Sequence, residues 1–196
     1  MSDAARRGLF IFLAALLIII GGVVYEQYRL GGAENATPAV GGPFALVDQN
    51  GVARRDTDFR GKVMLIYFGY TYCPDACPTT LQAITNTLDL LGKDAAKVQP
   101  LFISVDPARD TQEQLRAYAA NFHSGILYLT GAPEELKKVE REFHVYVAKV
   151  PQSGSDDYLI DHSSIIYVMG SDGRYLGQMP TGLPPKVMAA TVERYL

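Results

Sequence analysis

Apolar residues fall along this chain in three kinds of run, and each kind predicts a different element. The first is long and unbroken: Leu9 to Val24 is uncharged and almost wholly apolar, with Arg6 and Arg7 in front. About 20 residues span a bilayer and about 17 can suffice; Tyr25 and Tyr28 extend the run as interfacial anchors. A cleaved signal peptide has a shorter apolar region, about 7–15 residues, ending in a small-x-small site. Val23-Val24-Tyr25-Glu26-Gln27-Tyr28 is a poor cleavage site. An uncleaved transmembrane anchor over residues 9–28 is therefore expected, with residues 1–8 kept in the cytoplasm by the arginine pair. Residues 29–43, rich in Gly, Ala and Pro, read as a flexible tether.

The second kind of run is short and continuous. Val63 to Phe68, bounded by Gly61 and Gly69, reads as a strand buried on both faces. Gln99 to Val105, Ile126 to Leu129 and Val145 to Val150 read as further strands. Phe44 to Val47 and Val52-Ala53 flank Asp48-Gln49-Asn50-Gly51, and Ile165 to Met169 and Tyr175 to Met179 flank Gly170-Ser171-Asp172-Gly173; both are hairpin signals.

The third kind recurs at spacings of three and four. Leu81, Ile84, Leu88 and Leu91 predict a helix starting at Pro78. Leu115, Tyr118, Ala119 and Phe122 predict another, capped by Asp110 or Thr111. Pro133-Glu134-Glu135 opens a third, running to Phe143, with its acids at the positive end of the dipole. Pro184 or Pro185 begins a last helix to Leu196. Strands alternating with helices, then a hairpin and a closing helix, predict one α/β domain over residues 44–196. Its expected form is a thioredoxin-like three-layer sandwich with a mixed sheet and an added N-terminal β-hairpin.

Composition changes this picture little. The chain has 196 residues and a net charge of -3, with no clustered basic face, so nucleic acid is excluded as a partner. The cysteines change it more. The only two stand in Cys73-Pro74-Asp75-Ala76-Cys77-Pro78, directly after the first buried strand. A residue before proline is pushed out of the helical region, so both are expected in turn or extended backbone, with Cys77 capping the helix. A thiol there feels unpaired N–H groups and the dipole, which lower its pKa below about 8.5. Thiolate is both nucleophile and metal ligand, so the pair suits a redox couple or a soft-metal site.

Other uses fit less well. Side chains four apart on a helix have Cβ atoms about 5–6 Å apart, whereas a disulfide wants about 3.5–4.5 Å, so oxidation needs local rearrangement. A structural staple usually closes a longer loop. Closed zinc sites want four protein ligands. Copper(I) takes two thiolates readily, and an imidazole as third ligand also suits copper(II). Thiol peroxidases carry Pro-x3-Thr/Ser-x2-Cys, which neither cysteine satisfies.

The imidazole is His162, in Asp161-His162-Ser163-Ser164, expected in a loop entering the strand at Ile165 and facing the cysteine helix. Asp161 is either the partner that fixes its tautomer or an ordinary surface carboxylate. His123 and His144 read as structural, Met64, Met169 and Met179 as core, and Tyr70 and Tyr72 as shields around the site.

Phe68-Gly69-Tyr70-Thr71-Tyr72-Cys73-Pro74-Asp75-Ala76-Cys77-Pro78-Thr79-Thr80-Leu81 resembles the signature of the Sco/SenC proteins, copper-delivery factors for cytochrome c oxidase. So do Ser104-Val105-Asp106-Pro107-Ala108-Arg109-Asp110-Thr111 and Asp161-His162-Ser163-Ser164. The likeness runs in order over about residues 40–196, with anchor and tether in the same plan; Ala76 departs from a usual valine. It implies a membrane-anchored assembly factor, not an enzyme with turnover, holding one copper ion, Cu(I) or Cu(II), through Cys73, Cys77 and His162. The implied partner is cytochrome c oxidase subunit II, whose dinuclear CuA site would be matured by copper transfer or by keeping its cysteines reduced. An upstream copper chaperone and a thiol reductant would stand behind it. The resemblance puts Asp106 to Arg109 near the metal, with Asp106 and Asp110 structural or partner-facing. A thiol–disulfide oxidoreductase using Cys73 and Cys77 is the competing reading. The Cys-x3-Cys spacing, and a histidine near the place where thioredoxins carry proline, favour metal. Asp3 and the lack of an arginine-rich presequence point to a bacterial inner membrane, with the C-terminal domain periplasmic.

Overall fold

The structure, a computed structural model, describes residues 7, 13–26, 40–152, 154 and 157–196. The chain divides into two units, Met1–Ala39 and Val40–Leu196. In the first, residues 13–26 are helical, and Leu17, Ile18 and Ile19 are exposed. Among the described residues no helix is long and apolar enough to cross a membrane. Residues 9–12 and 27–28 of the expected anchor lie outside the described residues, as do 1–6 and 8 of the N-terminus and 29–39 of the tether. The second unit begins ahead of the expected Phe44: Val40 packs against the core, and the Gly41 N–H donates to the Glu142 carbonyl at 2.8 Å.

The elements of the second unit are β1 (Ala45–Asp48), β2 (Ala53–Arg55), β3 (Val63–Gly69), α1 (Ala76–Leu91), β4 (Val98–Ser104), α2 (Gln112–Ala119), β5 (Leu127–Thr130), α3 (Pro133–Glu142), β6 (Val147–Pro151), β7 (Tyr158–His162), β8 (Ile165–Met169), β9 (Tyr175–Pro180) and α4 (Pro185–Glu193). Seven strands form one sheet in the order β2-β1-β5-β4-β3-β8-β9. β3, β4 and β5 run parallel, while β1 and β8 join them antiparallel. Every residue of β3 is buried, so the sheet is covered on both faces at its centre and the domain has three layers. This is the expected mixed sheet, with the β1–β2 hairpin added at the β5 edge. Asp48 closes that hairpin: its carboxylate accepts from the N–H groups of Asn50 and Val52 and from Arg54. Met64, Met169 and Met179 are core residues.

Two elements depart from expectation, and both carry the site. α1 starts at Ala76 with Asp75 as its cap, so Cys77 lies inside the first turn and Pro78 is the third helical residue. The first N–H groups of a helix have no intrahelical partner, so proline costs nothing there, and the restriction on the preceding residue gives way. The segment before His162 is also not a loop. Tyr158 to His162 forms β7, which pairs antiparallel with β6 in a separate two-stranded sheet, Val147 opposite His162.

Candidate functional site

β3 delivers the chain at Gly69 into a tight loop: the Cys73 N–H donates to the Tyr70 carbonyl at 3.3 Å, and α1 begins three residues on. Gly69 is required by what lies against it. A Cβ there would stand 2.7 Å from the Phe102 ring and 3.0 Å from Cys77 Sγ. Cys77 is wholly buried, Cys73 is partly exposed, and both are free thiols.

The structure brings the three expected residues together. Cys77 Sγ lies 3.5 Å from His162 Nε2, across 85 residues of sequence. The Cys77 N–H donates to Cys73 Sγ at 3.4 Å. The donors therefore meet in pairs, and among the described residues no three His, Cys, Asp or Glu side chains are already gathered as a metal-binding group. Their spacing suits a shared ion all the same. A thiolate and an imidazole at about 2.0–2.3 Å from one metal stand roughly 3.6 Å apart.

The two sulfurs are electrostatically unlike. The Cys77 thiol donates to Cys73, and with His162 and the N–H groups of Cys77 and Asp75 it outweighs burial and brings Cys73 down to about 4. Donating to that thiolate, together with burial, pushes Cys77 well up. The positive end of α1 favours the anion.

Three contacts set His162. Its Nδ1 lies 3.2 Å from the Ser163 carbonyl, a contact that uses the Nδ1 proton and turns Nε2 toward Cys77. The edges of Tyr67 and Tyr70 pack against the ring at 6.0 Å each. Ser163, not Asp161, is thus the orienting partner; the Asp161 side chain is exposed. Tyr70 is buried as a shield, but Tyr72 is open to solvent. His123 accepts from the Gly125 N–H at 2.9 Å, and His144 ends α3 in left-handed backbone, φ 53°; both are structural.

Sequence reasoning missed Tyr67, whose hydroxyl donates to Cys77 Sγ at 3.5 Å. A phenol inside a continuous apolar strand needs a partner when buried, and that was its signal. Asp110 proves structural: buried, it accepts from the Thr71 N–H at 3.2 Å, the Thr71 hydroxyl at 2.6 Å and the Ser104 hydroxyl at 2.6 Å. Burial pushes its pKa up, with those hydrogen bonds opposing. Asp106 is buried and paired with Arg109. Arg109 also donates to the Tyr158 carbonyl at 2.9 Å and lies over the rings of Tyr158 and Tyr72 at 3.7 and 4.8 Å.

Residues 32–196 match the SCO1/SenC family. A SCO2-like protein of Rickettsia prowazekii is 46% identical over 138 residues, 70% of this chain and 67% of that protein. The human mitochondrial SCO1 homolog is 36% identical over 161 residues, 81% of this chain but 54% of its own longer sequence. The structure of Bradyrhizobium japonicum ScoI with copper bound superposes with a TM-score of 0.76 at 46% identity, covering 81% of this chain and all of that one.

Proposed function

The chain belongs to the SCO1/SenC family, and we propose that it is a copper-binding assembly factor that takes one copper ion on Cys73, Cys77 and His162. The observation that carries this reading is the approach of Cys77 Sγ to His162 Nε2, 3.5 Å, beside a second sulfur held at thiolate. Two soft thiolates select copper(I), and the imidazole makes the set serviceable for copper(II) as well. The Nδ1 proton on Ser163 presents the correct nitrogen, and the buried Tyr67 hydroxyl supports the sulfur of Cys77. Cys73, on the partly exposed loop, is the third donor, already interacting with both Cys77 and His162.

In this reading the copper is cargo, passed to the CuA site of cytochrome c oxidase subunit II, after loading by an upstream copper chaperone. The domain works on the periplasmic side of a bacterial inner membrane, tethered by an uncleaved anchor. The exposed apolar side chains of the helix at residues 13–26 support that placement, since a helix apolar all round belongs in lipid or a core.

One observation favours a second reading. A solvent-reachable thiolate at Cys73 beside a buried partner thiol is the arrangement of an attacking and a resolving cysteine, so the same pair could keep the cysteines of subunit II reduced, drawing on a thiol reductant. Copper titration of the reduced full-length chain beside His162→Ala separates the two. One copper per chain, with a thiolate-to-copper(II) charge-transfer band that His162→Ala abolishes, is expected. A chain that holds no copper yet reduces a disulfide substrate through Cys73 and Cys77 would put the oxidoreductase in its place.

A further inference from the structure

The ribbon that carries His162 is nearly self-contained. Among the described residues β6 and β7 pair with each other and with no strand of the main sheet, and a two-stranded ribbon alone is marginal in water. The His162 ring packs against Tyr67 and Tyr70, and β8 of the main sheet begins three residues on; the rest of β7 depends on the ties that seat it against the domain. Ile160 is buried, and its N–H donates to the Tyr70 hydroxyl at 3.1 Å. Tyr158 packs against the core, and its polar ties converge on one side chain. Arg109 donates to the Tyr158 carbonyl at 2.9 Å, its guanidinium lies 3.7 Å from the Tyr158 ring centre, and it pairs with Asp106. Asp106 in turn accepts from the Tyr158 hydroxyl at 2.7 Å. That guanidinium also lies 5.7 Å from the Tyr70 ring centre and 4.8 Å from that of Tyr72, the residue adjacent in sequence to Cys73.

We propose that Arg109 is a positioning residue for the metal donors, latching the start of β7 so that His162, four residues on, stands against Cys77. The planar fork is essential to this role, because it bonds a carbonyl and a carboxylate in its own plane while stacking on Tyr158. Lysine offers charge without the plane. The inference rests on the copper reading for one of its two readouts and is independent of copper for the other.

The test compares full-length wild type, Arg109→Gln and Arg109→Lys, each with and without His162→Ala. Without added metal, amide exchange at Ile160 and Asp161 is expected to quicken at least tenfold in Arg109→Gln while β3 stays protected. With copper(I), affinity is expected to fall roughly tenfold, the lower end of the effect of losing a supporting partner. Arg109→Lys is expected to track Arg109→Gln. In the His162→Ala background, Arg109→Gln is expected to cost no further affinity, since its effect passes through the missing ring. Exchange that is unchanged at Ile160, or that quickens equally in β3, would overturn the latch. So would an affinity loss that persists without His162 or is restored by lysine. If wild type binds no copper the copper reading falls, and the latch is then decided by exchange alone.

Discussion

Asp110 is the buried knot beneath the cysteine loop, and replacing it tests whether hydrogen bonding there can be counted atom by atom. One carboxylate oxygen accepts from the Thr71 hydroxyl and the other from the Ser104 hydroxyl, both at 2.6 Å, with the Thr71 N–H shared between them at 3.2 Å. Each hydroxyl already accepts elsewhere, Thr71 from Gln114 and Ser104 from the Asp106 N–H. In Asp110→Asn the new NH2 must face one of them, whichever way the amide is turned. That hydroxyl then loses its acceptor, which costs about 1–3 kcal/mol when buried. Asp110→Ala strands all three donors and leaves a void, for roughly 3–5 kcal/mol. At about 2–4 °C per kcal/mol for a domain of this size, the asparagine variant melts about 4–8 °C below wild type if its cost is about 2 kcal/mol. The chain has no tryptophan, so urea unfolding at pH 7 is followed by far-UV circular dichroism. A double-mutant cycle with Thr71→Val is expected to return a coupling of about 1 kcal/mol. An asparagine variant within about 0.5 kcal/mol of wild type, or an alanine variant no worse than it, would refute the count.

Other outcomes follow from single contacts. Asp48 is desolvated, which raises its pKa, but the Arg54 hydrogen bond and the N–H groups of Val52 and Asn50 outweigh this and hold it low. Its stabilisation is therefore present above the unfolded value of about 3.9 and lost as pH falls through the lower folded one. Wild type should exceed Asp48→Asn by about 1–3 kcal/mol at pH 7, and the gap should close in urea titrations below about pH 4. Gly69→Ala would drive a methyl into Phe102 and Cys77 Sγ, costing about 1–3 kcal/mol and weakening copper retention, both read on one sample by unfolding and metal analysis. In the reduced chain, iodoacetamide should alkylate Cys73 well before the buried Cys77, with a rate at Cys73 nearly flat from pH 6 to 8 because that thiol ionises near 4. Peptide mapping gives the order, and equal rates would contradict the burial of Cys77.

Much of this was legible in the sequence, for identifiable reasons. Val63 to Phe68 is apolar without a break because β3 is covered on both faces, and Asn50-Gly51 marks a turn that Asp48 locks. Cys73, Cys77 and His162 stood out because two thiols at a strand end are rare enough to need a third donor. β7 was not legible. Its alternation is short, only Ile160 is fully buried, and its partner is another five-residue strand, so no periodicity announces it. The start of α1 was misplaced because the rule against helix before proline is local, whereas the first turn of a helix tolerates proline. Asp161 attracted attention as the adjacent carboxylate, yet the Ser163 carbonyl holds the ring; a backbone acceptor leaves no mark in a sequence.

The 85 residues between Cys77 and His162 have a consequence for timing. A nascent or unfolded chain offers two thiols four positions apart and no imidazole near them, so the third donor arrives only when β3, β4 and the ribbon have all been laid down. On the proposed three-donor site, full loading thereby reports that the chain has been made and folded at least through β7. Once loaded, the ion holds that state: free copper at a hundredfold over its dissociation constant adds at most about 2.7 kcal/mol to the folded form, less whatever the two thiols bind in the unfolded chain. A chain that has lost its fold keeps two thiols but not the third donor.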